Sequence, residues 1–264
     1  MRVQGSLCRG WALIAVLGLT ACSGEPPPPI ADLRDYQPAT LAEAVLLGNR
    51  TAVENFLALG VDPNEPEADG TTPLMRAVHG GLSDIAQLLI DASADVRKAN
   101  SYGVTPLYIA ARAGDSVATR MLLAAGADAN TSLPAGETVL MTAAKGGNAD
   151  VVRALLTGGA QGVSLLDLAE QRAAARVAES AGYAAAINPS IVTNYADVNA
   201  RERWYGRTAL MVAATEGHAE IVQLLIEAGS ELDWLDEEGS TALSLARSNG
   251  HLDVAAALSQ AGAR

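Results

Sequence analysis

Asp69-Gly70-Thr71-Thr72-Pro73-Leu74-Met75-Arg76-Ala77-Val78 is a stretch to which the chain keeps returning. Thirty-three residues on it reads Gly103-Val104-Thr105-Pro106-Leu107-Tyr108-Ile109-Ala110-Ala111, and thirty-three further Gly136-Glu137-Thr138-Val139-Leu140-Met141-Thr142-Ala143-Ala144. It comes back as Gly206-Arg207-Thr208-Ala209-Leu210-Met211-Val212-Ala213-Ala214 and as Gly239-Ser240-Thr241-Ala242-Leu243-Ser244-Leu245-Ala246. A fixed period of this length means an array, in which each unit buries its apolar face against its neighbours.

Each position has a physical task. The glycine can take the positive φ of a tight turn at little steric cost. The threonine two residues later suits a helix N-cap, where its hydroxyl accepts from an otherwise unpaired N–H. Pro73 and Pro106 fit the first helical position, whose N–H has no intrahelical partner. Leucine and paired alanines let a short helix pack closely. A second helix is predicted around Leu88-Leu89, Leu122-Leu123, Leu155-Leu156 and Leu224-Leu225, closed by Gly126, Gly159 and Gly229. On these residues the unit resembles the ankyrin repeat, from Leu41 to Arg264. The resemblance implies an all-α ankyrin-repeat solenoid of helix-turn-helix units with β-hairpin loops. Leu41–Gly60 starts polar and lacks the Gly-x-Thr opening, as an amino-terminal cap would. Ser244 and Arg247 replace apolar siblings in the last unit and suit a carboxy-terminal cap.

Between Gly159 and Gly229 the period breaks, with seventy residues where thirty-three are expected. The extra residues include Ser164-Leu165-Leu166-Asp167-Leu168-Ala169, close to a repeat opening, and an Ala-rich helical stretch. Segment 161–197 is therefore either a decayed repeat or a helical excursion inserted into one hairpin. Insertions of this kind in repeat proteins often mark a binding face.

At the amino terminus Arg2 and Arg9 precede the apolar run Trp11–Leu19, too short to span a bilayer but long enough for the core of a secretory signal. The run ends in Leu19-Thr20-Ala21-Cys22, which resembles the bacterial lipobox. That resemblance implies cleavage before Cys22, acylation of its thiol and amino group, and, with Ser23-Gly24 following, sorting to the outer membrane. Pro26-Pro27-Pro28-Pro29 favours an extended polyproline spacer. The chain thus divides into a lipoprotein signal peptide (1–21), a lipidated Cys22 with a Pro-rich linker (22–37) and a repeat domain (38–264). The expected location is the bacterial cell envelope, on the periplasmic side of the outer membrane, with the membrane engaged only through Cys22.

Thirty acidic against eighteen basic residues give a net charge of −12, and loss of Arg2 and Arg9 with the leader makes it −14. Such a surface repels nucleic acid and anionic headgroups. Cys8 and Cys22 are the only cysteines, so the repeat domain holds no thiol chemistry. His79, His218 and His251 fall in different repeats; the last two sit in Gly-His pairs that are structural in the ankyrin family, and His79 falls on the groove side of a first helix. No phosphate loop or metal-ligand spacing is present, so no enzyme activity, cofactor or metal is expected.

Binding is the function this pattern implies. In ankyrin arrays the hairpin tips and the solvent side of the first helices meet a protein partner. Carried onto this chain, those positions hold Tyr102, Arg112, Lys145, Trp204, Tyr205 and Arg207, with Glu137, Glu237 and Glu238. Aromatic residues and arginine most often anchor interfaces. Trp204, Tyr205 and Trp234, with Arg201, Arg203 and Arg207, form either a basic-aromatic patch or a packing surface for the irregular segment. The expected partner is a protein, such as an envelope enzyme or a toxin neutralised by an immunity protein. A structural envelope tether without a dedicated ligand is the other reading.

Overall fold

Thr72, Thr105, Thr138, Thr208 and Thr241 fix where five helices begin. Each holds extended backbone, and its hydroxyl accepts from the N–H three residues on. The computed structural model describes residues 38–160, 164–170 and 195–264. Twelve helices are named among them: α1 (Leu41–Leu46), α2 (Arg50–Ala58), α3 (Pro73–His79), α4 (Ser83–Asp91), α5 (Pro106–Ala113), α6 (Ser116–Ala124), α7 (Val139–Lys145), α8 (Ala149–Leu156), α9 (Ala209–Glu216), α10 (Ala219–Glu227), α11 (Ala242–Ser248) and α12 (Leu252–Gln260). Pro73 and Pro106 take the first helical position as expected. The odd-numbered helices stack on one another in one layer and the even-numbered ones in a second.

The packing repeats as the sequence does. Ala77, Ala110, Ala143, Ala213 and Ala246 each have 0% exposure, so no side chain keeps the odd helices apart there. Leu89, Leu122, Leu155, Leu225 and Leu258 are likewise fully buried in the even layer. Burying a leucine contributes roughly 1.5–3 kcal/mol, so these two columns set the stacking register. At the far end Ser244 and Arg247 are exposed where their counterparts Met211 and Ala214 are buried, which closes the array with a polar face.

The loops between units are hairpin turns too short for strands. Among the described residues the only β-bridge joins Ser132 to Thr138. After α8 the chain departs from its siblings. Thr157 caps that helix, so Gly158 takes the position that Gly126 and Gly229 hold in their repeats, and Gly159 follows it, also with positive φ.

Across the break the stack continues. Helix α9 packs directly on α7, and α10 on α8. In an unbroken repeat Ala127 N–H bonds to Leu122 O (2.9 Å); after the break Ala196 N–H bonds to Leu155 O (3.0 Å), the equivalent carbonyl. Asn64 Oδ1 accepts from Asp95 N–H and its amide donates to Ser93 O; Asn130 does the same with Asp197 and Tyr195. The frame that stops at Gly159 therefore resumes at Tyr195, with the flanking repeats in direct contact. Residues 165–170 are helical, the Ser164 hydroxyl accepting from Asp167 N–H at their start, and Leu165 and Leu168 are buried. The remainder of 161–197 up to residue 194 lies outside the described residues, as do the leader, Cys22 and the linker.

Candidate functional site

Four hairpins share one construction of five residues. The first N–H bonds to the fifth carbonyl in Glu67–Thr71, Asn100–Val104, Leu133–Glu137 and Asp236–Ser240. The corresponding bond in the remaining hairpin runs from Glu202 to Arg207, which spans six residues. The extra residue is Trp204. It falls between the two positions that join neighbouring tips: Ser101 N–H bonds to Asp69 O, Arg203 N–H to Ala135 O, and Glu237 N–H to Tyr205 O. The same link is missing between the second and third hairpins, where the donor position is Pro134 and has no N–H. Its ring instead lies against Gly103, with Cδ 3.0 Å from where a Cβ would stand.

The enlarged loop is held from inside by two carboxylates. Glu202 accepts from the N–H groups of Trp204 (2.7 Å) and Arg207 (3.4 Å), and from that of Tyr205. Asp236, with a side chain of 0% exposure, accepts from Glu238 N–H and Ser240 N–H and pairs with Arg207 at 3.3 Å. Charge-assisted bonds of this type are the strong ones. Glu202 stands at the first hairpin position, where Asn100 and Asp236 likewise accept from N–H groups of their own loops.

With its base fixed, the loop leaves its aromatic side chains in solvent. Trp204 is 70% exposed and Tyr205 54%. Tyr102, on the second hairpin, is 68% exposed. Between them the third tip presents Pro134 and Ala135, both exposed and small. The arginines divide. Arg207 lies over the Tyr205 ring (5.3 Å) and bonds to Asp236 and Glu238; Arg201 lies over Trp234 (5.0 Å) and donates to Gly206 O and Leu235 O. Trp234 packs against the core. The basic-aromatic cluster of the sequence thus resolves into structural arginines and a structural Trp234, with Arg203 exposed beside Trp204.

Below the tips, the odd helices turn one face toward the hairpins. Arg76 forms a two-pronged pair with Glu67 of its own hairpin (2.7 and 2.6 Å), and Thr142 donates to Glu137 of its own (3.0 Å). One turn further on that face come His79, Arg112 and Lys145, at one register of α3, α5 and α7 and all exposed. His218 and His251 are elsewhere: each ring reaches back to the preceding repeat, Nε2 lying 3.2 Å from Lys145 O and 3.0 Å from Thr215 O. They tie repeats together, as their Gly-His context implies. Asn148 makes the equivalent bond to Gly114 O. In the first hairpin the N–H and hydroxyl of Thr71 hold the Asp69 carboxyl below its ordinary range.

The family profile for ankyrin repeats in three copies matches residues 41–133 and 174–264, and the single ankyrin repeat matches 135–167. The chain belongs to the ankyrin-repeat family. A crystal structure of an ankyrin repeat domain from Acinetobacter baumannii superposes with a TM-score of 0.67 at 25% identity, covering 85% of this chain and 98% of that one. A curated relative, protein phosphatase 1 regulatory subunit 27 of mouse, is 42% identical over 62 residues, 24% of this chain. The match spans 40% of the length of that relative. Ankyrin repeats generally mediate protein–protein interaction and are typically non-enzymatic scaffolds.

Proposed function

We propose that this chain is a lipid-anchored protein of the bacterial cell envelope, facing the periplasm from the outer membrane, whose ankyrin array holds another protein. The observation that supports the site most directly is the single-residue expansion of the fourth full hairpin, which leaves Trp204 and Tyr205 in solvent above a rigidly bonded base. An exposed tryptophan buries a large area at small entropic loss when a partner covers it. Tyr102 supplies a second aromatic contact across the small third tip. The mouse relative is a regulatory subunit of a phosphatase, which agrees with this reading. The held protein is an envelope enzyme or a toxin for which this chain serves as immunity protein. The motif Leu19-Thr20-Ala21-Cys22 and the proline spacer support the anchor; several acyl chains on one residue exceed the marginal binding of a single chain.

Capture from the source organism's envelope extract tests the site, with the Ser23–Arg264 domain as bait and the Trp204→Ala/Tyr205→Ala variant as control. One stoichiometric protein, lost with the variant, is the expected result; equal capture by both overturns the assignment. For the anchor, radiolabelled palmitate is expected in the wild-type chain and absent from Cys22→Ala. Label retained in that variant refutes lipidation at Cys22.

A further inference from the structure

We propose that the segment of the partner held by this array is acidic and extended, its carboxylates lying across Arg112 and Lys145 and its apolar side chains on Tyr102, Trp204 and Tyr205. The inference rests on the protein-binding function proposed above and adds the chemistry of what is bound.

It starts from how the described residues dispose of their cations. Arg50 pairs with Glu54 and Asp84, Arg76 with Glu67, and Arg207 with Asp236 and Glu238. Arg97, Lys98 and Arg201 donate to backbone carbonyls. The other cations of the described residues find no carboxylate. Arg112 and Lys145 are two of them: both are exposed, and neither has an ion pair or side-chain hydrogen bond among the described residues. They occupy one register on adjacent stacked helices, α5 and α7, with His79 at the same register of α3. The row then stops, because the next two repeats carry Thr215 and Ser248 there.

A cation in the last turn of a helix also favours the local dipole by about 0.3–1 kcal/mol. That effect is local to each helix and would be served equally by α9, which has no basic residue in its last turn. Confinement of the row to consecutive repeats, beneath the aromatic tips, is what a single ligand would require. Glu137, the carboxylate on the hairpin above α7, is half-buried and accepts from Thr142, which holds it at its own hairpin. Adjacent packed helices lie about 8–10 Å apart. Carboxylates two residues apart along an extended strand leave the same face roughly 6–7 Å apart, and the long, exposed Arg112 and Lys145 side chains span the rest of the interval. The net negative charge of the chain opposes such a segment, so its register is set by attraction at the row against a repulsive background.

A random dodecapeptide library displayed on phage and selected on the full-length chain in mild detergent tests this without knowledge of the natural partner. Enrichment of Asp and Glu over Lys and Arg is expected, with affinities that fall as salt rises. The selected peptides should bind Arg112→Glu/Lys145→Glu about tenfold or more weakly, and Arg112→Lys/Lys145→Arg nearly as well as wild type. Both variants change exposed side chains, and far-UV circular dichroism checks that they fold. A neutral or basic consensus, or indifference to the charge reversal, overturns the inference. If the same peptides are lost with Trp204→Ala/Tyr205→Ala yet survive the reversal, the binding face stands and only its acidic ligand falls. If neither variant matters, both readings fall.

Discussion

Between α6 and the third hairpin the chain makes one ordinary turn; between α8 and the fourth it leaves for thirty-six extra residues before Tyr195. The loop returns to an equivalent helix carbonyl in both, whereas the tip link absent at Pro134 is present at Arg203. Ala127 and Ala196 satisfy equivalent helix carbonyls, and Ser101 and Arg203 donate to the preceding tip. The comparison teaches that the register of the array is set by the complementarity of one repeat face for the next, with the covalent connection contributing little. The remaining extra residue of the break, Trp204, acts differently: it leaves the stack untouched and alters only what the tip presents.

The packed boundary is the first part of this comparison to break. Leu107 and Leu210, each 1% exposed, sit at the same register in an unbroken repeat and in the repeat after the break. Their replacement by alanine is expected to cost about 3 kcal/mol each, equal within about 1 kcal/mol, in urea denaturation. A cost at Leu210 well below that at Leu107 would mean that the boundary across the break is not a packed core. A smaller effect separates the asparagines. Asn64→Ala and Asn130→Ala each remove two bonds to the following loop and should each lose about 1–2 kcal/mol. Loss at Asn64 alone would show that the return of the chain at Tyr195 is not held as the ordinary loop is. The smallest effect is expected from deletion of Trp204, which restores the five-residue hairpin and should change stability by less than about 0.5 kcal/mol. A large drop in melting temperature on deletion would mean that the sixth residue supports the loop and is not simply displayed by it.

Most of the fold was legible because an array states its rules several times. Five threonine caps, two first-position prolines and the alanine columns follow from residue type and spacing alone. Of the candidate site only the exposure was legible: Tyr102, Arg112, Lys145, Trp204 and Tyr205 are all exposed. The fate of the arginines was not. Arg207 meets Asp236 and Arg201 meets Leu235 O in the next hairpin, and nothing local distinguishes them from Arg203. The extra residue at Trp204 was hidden for a simpler reason. Tyr195 stands where sibling repeats have Gly126 and Gly229, which leaves only Ala196-Asp197-Val198-Asn199, the counterpart of Ala127-Asp128-Ala129-Asn130, as a mark from which to count the hairpin.

Pro134 carries a mechanical consequence. At the boundaries where tips are linked, a directional bond resists both separation and sliding. Between Tyr102 and Pro134 only contact of a ring with Gly103 remains, which opposes closer approach but not shear. A solenoid flexes at its least restrained boundary, so bending of this one concentrates between the second and third hairpins. The distance between Tyr102 and the Trp204–Tyr205 pair is the dimension that such bending adjusts.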